Sequence, residues 1–393
     1  MNENRVLVAV KQITAIEPLT VKSGEIARTE LAHIGGWRAT VQKDEFKVGD
    51  VVVFAEPDSI FPPDERWSFL ERRKWAIKTQ RYGNLLTANG ECVISQGLIL
   101  PLSVLPDGTS HEIGTDVTKV LGVVHAPEAD NDDEFEDNAE FTTKDKVKLK
   151  WLPKKLFDKF MRYKWFRNFV LPHKEKGGFV PEVSKTDEER IQNCGTIVEA
   201  DTLWTATEKV DGTSSTFRLK KIATPWYKRI LGKQNFDFAV CTRNNRVGNP
   251  SASSIQWVLA KKYNLMNVMK QIIGKYQWVA IQGEAVGPKI QKNRQGLTEN
   301  KLLVFNLIYP DGRRKTVESA ELLKKFGVEW VPIIAAHLDL HGKTEEDLLK
   351  MADGVSALNP DRLREGIVFR AENPNMNLSF KAVSPEYALK HGL

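Results

Sequence analysis

The chain has 393 residues, 41% of them hydrophobic and 27% charged, and a formal net charge of +6. That length accommodates two or three domains with ordinary cores, and no run of eighteen apolar residues exists to form a membrane-spanning helix. Cys92, Cys194 and Cys241 show neither metal-ligand spacing nor an even disulfide count, which suits a reducing cytoplasm, and seven scattered histidines offer no zinc site.

The first residues, Met1 to Arg5 followed by Val6 to Val10, read as the approach to a strand, because the apolar stretch is too short for a signal peptide. Residues 1–125 read as all-β. Strands are expected over Val6–Ile16, Trp37–Gln42, Asp50–Ala55 and Glu91–Leu100, separated by turn signals such as Gly35-Gly36, Val48-Gly49-Asp50 and Pro106-Asp107-Gly108. This spacing predicts a small OB-like barrel. Between the third and fourth strands, Pro62–Tyr82 mixes Arg66, Arg72, Arg73, Lys74, Lys78 and Arg81 with Trp67, Trp75 and Tyr82. Aromatic faces stack on bases and cations pair with phosphates, so the segment reads either as a nucleic-acid surface or as an amphipathic excursion over the barrel mouth.

Residues 126–179 form a second unit. Glu128–Glu140 holds eight carboxylates and one aromatic, the composition of a solvated loop. Lys144–Lys176 then interleaves lysines and arginines with Trp151, Phe157, Phe160, Tyr163, Trp165 and Phe166, and Phe157, Phe160 and Lys164 fall on helical spacing. Such a stretch tracks a phosphate backbone or serves as a linker helix. Residues 180–393 read as mixed α and β, so the fold class is α+β. Helices are expected over Ser254–Ile273, Ala320–Phe326 and Thr344–Ala352, and strands over Thr202–Thr207, Gln277–Ala285, Leu302–Tyr309 and Gly366–Arg370.

Directly after the first of those strands stands Glu208-Lys209-Val210-Asp211-Gly212-Thr213-Ser214. Alone, this reads as a turn, with Gly212 supplying a positive φ and Lys209 solvated. Downstream, however, come Arg243, Glu284 after an apolar strand, Phe305 in another strand, Glu365-Gly366, and Lys381. Those residue types suit nucleotidyl transfer. A lysine with a pKa near 10.4 needs cationic neighbours or a metal before it yields a free amine. Lys381 is such a neighbour and can contact the α-phosphate. Glu284 and Glu365 suit Mg²⁺, Phe305 can stack on a purine, and Arg243 can hold a ribose or phosphate.

In order and spacing these segments resemble the motifs of the covalent nucleotidyltransferase superfamily, which contains ATP-dependent ligases and GTP-dependent capping enzymes. The stretch Lys185–Gln192 resembles the approach to the nucleophile in RNA ligases, and with the N-terminal barrel the chain looks like RNA ligases of the Deinococcus and Naegleria type. The resemblance implies an OB-like barrel ahead of a mixed α/β, ATP-grasp-like nucleotidyltransferase domain over residues 180–393. It implies Lys209 as nucleophile, with Asp211, Glu284, Glu365 and Lys381 as catalytic partners. ATP would meet Glu208, Gly212, Arg243, Phe305, Lys185, Gln192 and Lys381, and Mg²⁺, or Mn²⁺ in its place, would meet Glu284, Glu365 and Asp211. The implied partner is RNA or a nicked duplex with an RNA 3′-OH, acted on by a monomer. In many ligases the last motif has two lysines; here Ser379 replaces one, so the phosphate role falls to Lys381 alone. Twelve residues follow Lys381, leaving no room in this sequence for the C-terminal OB domain of DNA ligases and capping enzymes. The expectation is therefore an RNA ligase, with a capping-type guanylyltransferase or an inactive end-binding protein as alternatives.

Overall fold

The computed structural model describes residues 6–125, 177–185, 188–224, 234–248, 254–373 and 375–393. The acidic run at 128–140 and the basic stretch at 144–176, with its expected helix, lie outside the described residues.

The N-terminal part contains β1 (Val8–Gln12), β2 (Ala15–Val21), β3 (Ile26–Ile34), β4 (Trp37–Gln42), β5 (Val51–Ala55), β6 (Ser59–Ile60), β7 (Gln80–Leu86), β8 (Cys92–Ser95), β9 (Leu98–Leu100) and β10 (Val124–His125). They form antiparallel sheets in the orders β4-β3-β2-β7-β8, β1-β5-β9 and β10-β6. Period-two burial fixes the faces: Trp37, Ala39 and Val41 of β4 turn inward while the residues between them do not. The strand expected over Val6–Ile16 is in fact two. At Ile13-Thr14 the chain changes sheets, with the Ile13 amide bonding to Asp50 and the Thr14 amide to His33.

The Pro62–Tyr82 segment divides its rings from its cations. Asp64 caps a 3₁₀ turn over Glu65–Arg73 that drives Trp67 and Leu70 into the core, where Trp67 packs on Phe61 at 4.8 Å between ring centroids. Trp75 joins the same cluster. Trp67 is fully buried and Trp75 partly so, whereas Phe69, Arg72, Arg73 and Lys74 remain exposed.

The C-terminal part contains β11 (Gly177–Gly178), β12 (Glu189–Arg190), β13 (Trp204–Lys209), β14 (Thr213–Ile222), β15 (Asn235–Cys241), β16 (Asn245–Arg246), β17 (Trp278–Val286), β18 (Lys301–Tyr309), β19 (Gly312–Arg313), β20 (Glu329–Trp330), β21 (Ile333–Leu338), β22 (Gly366–Ala371) and β23 (Ser379–Val383). Its described helices are α1 (Ile255–Lys262), α2 (Leu265–Ile272), α3 (Thr316–Lys324), α4 (Glu345–Ala352) and α5 (Pro385–His391). The single helix expected over Ser254–Ile273 is broken because Asn264 adopts a left-handed conformation at φ +49°.

The larger sheet runs β11-β16-β15-β14-β17-β18-β19, with β20 beside β18, and the smaller runs β12-β23-β22-β13-β21. Residues of α1, α2 and α3 share one apolar cluster with Phe217, Leu219, Ile281 and Leu302 of the larger sheet. On the smaller sheet, Leu348 and Leu349 of α4 pack with Trp204, Phe369 and Phe380. With those faces covered by helices, the remaining faces can meet each other across a cleft. The N-terminal part closes one side of it: Arg190 bonds Asp58 at 2.7 Å, and Asn193 bonds Trp37 Nε1 at 2.8 Å and Glu56 at 2.6 Å. Among the described residues, no helix is long and apolar enough to cross a membrane.

Candidate active site

Lys209 is the last residue of β13. Side chains alternate along a strand, so Lys209 and Thr207 share one face and Glu208 takes the other. Register then assembles the rest of this face. Lys209 lies opposite Gly366, Val368 lies opposite Lys381, and Lys381 lies opposite Arg190. Glu365, immediately before β22, places Oε1 2.5 Å from Lys209 Nζ. From the larger sheet, β17 contributes Glu284 opposite Ser214. These residues, with Arg243, Phe305 and Val368, line a cleft of about 460 Å³, a size suited to a nucleotide-scale ligand.

Close approach of backbones makes this geometry possible. A Cβ on Gly212 would stand 2.3 Å from the Ala285 carbonyl oxygen and 2.8 Å from Glu284 Cγ. Gly212 is therefore needed for contact with β17, not for the positive φ of a turn. Gly366 has the same constraint, since a Cβ there would lie 2.2 Å from the Ala382 carbonyl. Next to Glu365, Arg364 donates to the carbonyls of Met351, Ala352 and Asp353 at 2.5–3.0 Å. These are carbonyls at the α4 C-terminus, a favourable place for a cation.

Glu208 also lines the cleft. Its side chain is buried; Oε1 accepts from the Ser356 hydroxyl at 2.5 Å and Oε2 from the Ala357 amide at 2.8 Å. It anchors the segment that leads to Glu365. Burial raises its carboxyl above the ordinary range, against the opposing pull of Ser356, Ala357 and Arg364. Asp211 lines the cleft too, and its Oδ2 accepts from Arg294 at 3.0 Å and from the Tyr387 hydroxyl at 3.2 Å. Gln192 is buried against Gly35 and Gly36 of the N-terminal part, away from the cleft lining. Lys185 bonds Asn244 at 3.1 Å, next to Arg243 but outside that lining.

Phe305 lines the cleft from β18. It sits in a small cluster with Val210, Leu303 and Val331, and the Arg370 guanidinium lies 5.4 Å from its ring centroid. Sequence reasoning missed Arg190, Arg294 and Tyr387, all of which touch or line the cleft. Alternation about Lys381 on β23 offers no clue to Arg190, because its strand is only two residues long. The donor set that could hold a metal consists of hard carboxylate oxygens, Glu284 and Glu365. Among the described residues no group of three or more ligating side chains occurs.

Comparison with known proteins agrees with this arrangement. The RNA ligase family model matches residues 202–383, and an OB-fold domain model matches residues 7–102. No curated protein sequence matches the chain. Among solved structures, an RNA ligase of Naegleria gruberi, a glutamate-to-alanine variant with ATP and manganese, aligns with a TM-score of 0.72 at 26% identity, covering 99% of this chain and 100% of that one. The same ligase with pyrophosphate gives 0.70 at 27% identity, covering 99% of each chain. A lysine-to-methionine variant with AMP and manganese gives 0.70 at 26%, again covering 99% of each. Residues 202–383 therefore belong to the RNA ligase family, and the chain is an RNA ligase with an N-terminal OB-fold domain.

Proposed function

We propose that this ligase is ATP-dependent and seals a 5′-phosphate to an RNA 3′-OH in three steps, acting as a monomer. The observation that carries the reading is the 2.5 Å contact between Lys209 and Glu365 in a cleft shared with Glu284, Arg243 and Lys381. First, Lys209 Nζ loses its proton and forms a bond to the α-phosphorus of ATP as the bond to pyrophosphate breaks. Second, AMP passes from the lysine to the 5′-phosphate end. Third, the 3′-OH attacks that activated phosphate, the phosphodiester forms, and AMP leaves.

Lys381 and Arg243 neutralise phosphate charge, and Phe305 supplies an aromatic face for the adenine. Glu284 and Glu365 would hold a divalent cation, Mg²⁺ or Mn²⁺. Bound there, it would supply positive charge to the α-phosphate and draw Glu365 away from the Lys209 ammonium. Asp211 acts from the loop beside Lys209, anchored by Arg294 and Tyr387. We assign residues 1–125, 126–179 and 180–393 to the barrel, the linker and the nucleotidyltransferase domain. Free thiols at Cys92, Cys194 and Cys241 fit a cytoplasmic setting.

The test is sealing of two nicked duplexes that differ only in the sugar at the 3′-OH end. The RNA-terminated nick should be sealed faster, with an adenylylated 5′ strand appearing before product. Equal rates would remove the ribose requirement, and product formed without ATP would remove the three-step scheme.

A further inference from the structure

Asp211 is held by two groups from different elements, which both donate to its Oδ2. Arg294 reaches it from the excursion between β17 and β18, in which Lys289, Gln291 and Asn293 all take positive φ. That excursion touches the loop after Lys209 a second time, where Gln291 Nε2 donates to the Gly212 carbonyl at 3.3 Å. The other group is Tyr387 of α5, whose side chain is almost wholly buried while its hydroxyl faces Asp211. The Arg294 guanidinium lies 5.8 Å from the Tyr387 ring centroid, so the three side chains form one stack. Burial, then the Glu365 and Asp211 carboxylates, push the Tyr387 phenol far above its ordinary value, which keeps it an O–H donor.

Helix α5 is fixed at both ends. At its start, Ser384 accepts from the Tyr387 amide at 3.0 Å, donates its hydroxyl to Asp353 at 2.6 Å, and bonds its own amide to the Glu365 carbonyl at 2.9 Å. Near its end, the Gly392 carbonyl accepts from Lys78 Nζ at 2.7 Å and the Leu393 carbonyl from the Thr79 amide at 2.9 Å. Arg81 pairs with Glu386 as well. The helix is thus tied to the Glu365 backbone at one end and to the N-terminal domain at the other.

We infer that Tyr387, with Arg294, is a positioning residue for lysine adenylylation, fixing the Asp211 carboxylate two residues from the nucleophile. The inference rests on the reading of Lys209 as that nucleophile. A carboxylate with two charge-assisted or buried donors has one orientation, whereas one with a single donor can rotate about its Cβ–Cγ bond. The Tyr387→Phe substitution keeps the ring, its packing and its face toward Arg294, and removes the hydroxyl that donates to Asp211 and accepts from Arg294 Nη1 at 3.4 Å.

The experiment measures the single-turnover rate of protein labelling from α-labelled ATP against ATP concentration, on full-length parent, Tyr387→Phe and Lys209→Ala proteins, with Tm for each. Loss of one hydrogen bond to a charged group should lower the saturating rate about tenfold, with the half-saturating ATP concentration and Tm unchanged. An unchanged saturating rate in Tyr387→Phe, or a lower rate accompanied by a lower Tm, would overturn the positioning role. Failure of the underlying reading looks different: the parent would take no label, or Lys209→Ala would label equally.

Discussion

The cleft around Lys209 and the Pro62–Tyr82 segment look alike in composition: each is rich in cations and aromatic or apolar side chains. Structurally they diverge. In the cleft, short segments far apart in the chain converge, so that Lys209 meets Glu365 across two adjacent strands at 2.5 Å. In the N-terminal segment, the same mixture separates: Trp67 and Trp75 turn into the core, while Arg72, Arg73 and Lys74 turn to solvent. A row of basic and aromatic residues is the ordinary product of a polypeptide burying its large rings and solvating its charges. Convergence from distant segments onto one face has no such bland origin. That difference is why the cleft, which Lys78 and Thr79 at the end of the segment help to line, carries a chemical argument and the exposed cations at 72–74 do not.

The contrast can be broken at several points. The largest effect is expected in the cleft, where Glu365→Ala should lower protein labelling from ATP by about 100-fold or more, as for other preorganised charged groups in active sites. Full labelling by that variant would separate Glu365 from the chemistry. Next, Trp67→Ala should destabilise the fold by about 3–5 kcal/mol, measured by chemical denaturation, while the folded fraction still labels normally. If instead stability held and RNA binding fell, the indole would be a surface group after all.

Glu208→Ala should have an intermediate effect. It leaves the Ser356 hydroxyl and Ala357 amide without their acceptor, at a cost of about 1–3 kcal/mol, and slackens the segment leading to Glu365. Because burial raises the Glu208 carboxyl above the ordinary 4.5, folding favours its protonated form. That contribution to stability is full below pH 4.5 and is lost as pH rises through the raised value. The variant should lack this part of the pH dependence in denaturation curves. The smallest effect is expected for Arg72→Ala with Lys74→Ala, exposed cations with no converging partner among the described residues, which should change RNA affinity by less than about threefold at physiological salt. A larger loss would restore that segment as an RNA surface.

Much of the cleft was legible because its chemistry is written in adjacent residues. Lys209, Gly212, Glu284, Glu365-Gly366 and Lys381 keep their order and strand context whatever the loops between them do. Arg190, Arg294 and Tyr387 were not legible. One lies in a two-residue strand, one in an irregular excursion held by positive-φ residues, and one in a helix whose meaning depends on where α5 docks. In the fold, the strand pattern predicted the barrel but not the change of sheet at Ile13-Thr14, since only tertiary hydrogen bonds at Asp50 and His33 set it. The break at Asn264 was equally invisible, because the apolar spacing on either side continues across it.

The central claim is that Lys209 becomes covalently joined to AMP. Incubation of the parent and Lys209→Ala proteins with α-labelled ATP and Mg²⁺, followed by denaturing gel electrophoresis at neutral to alkaline pH, tests it directly. The account predicts covalent label on the parent that survives alkali and is released by acid, as a P–N bond requires, and none on Lys209→Ala. Equal label on the two proteins would contradict it.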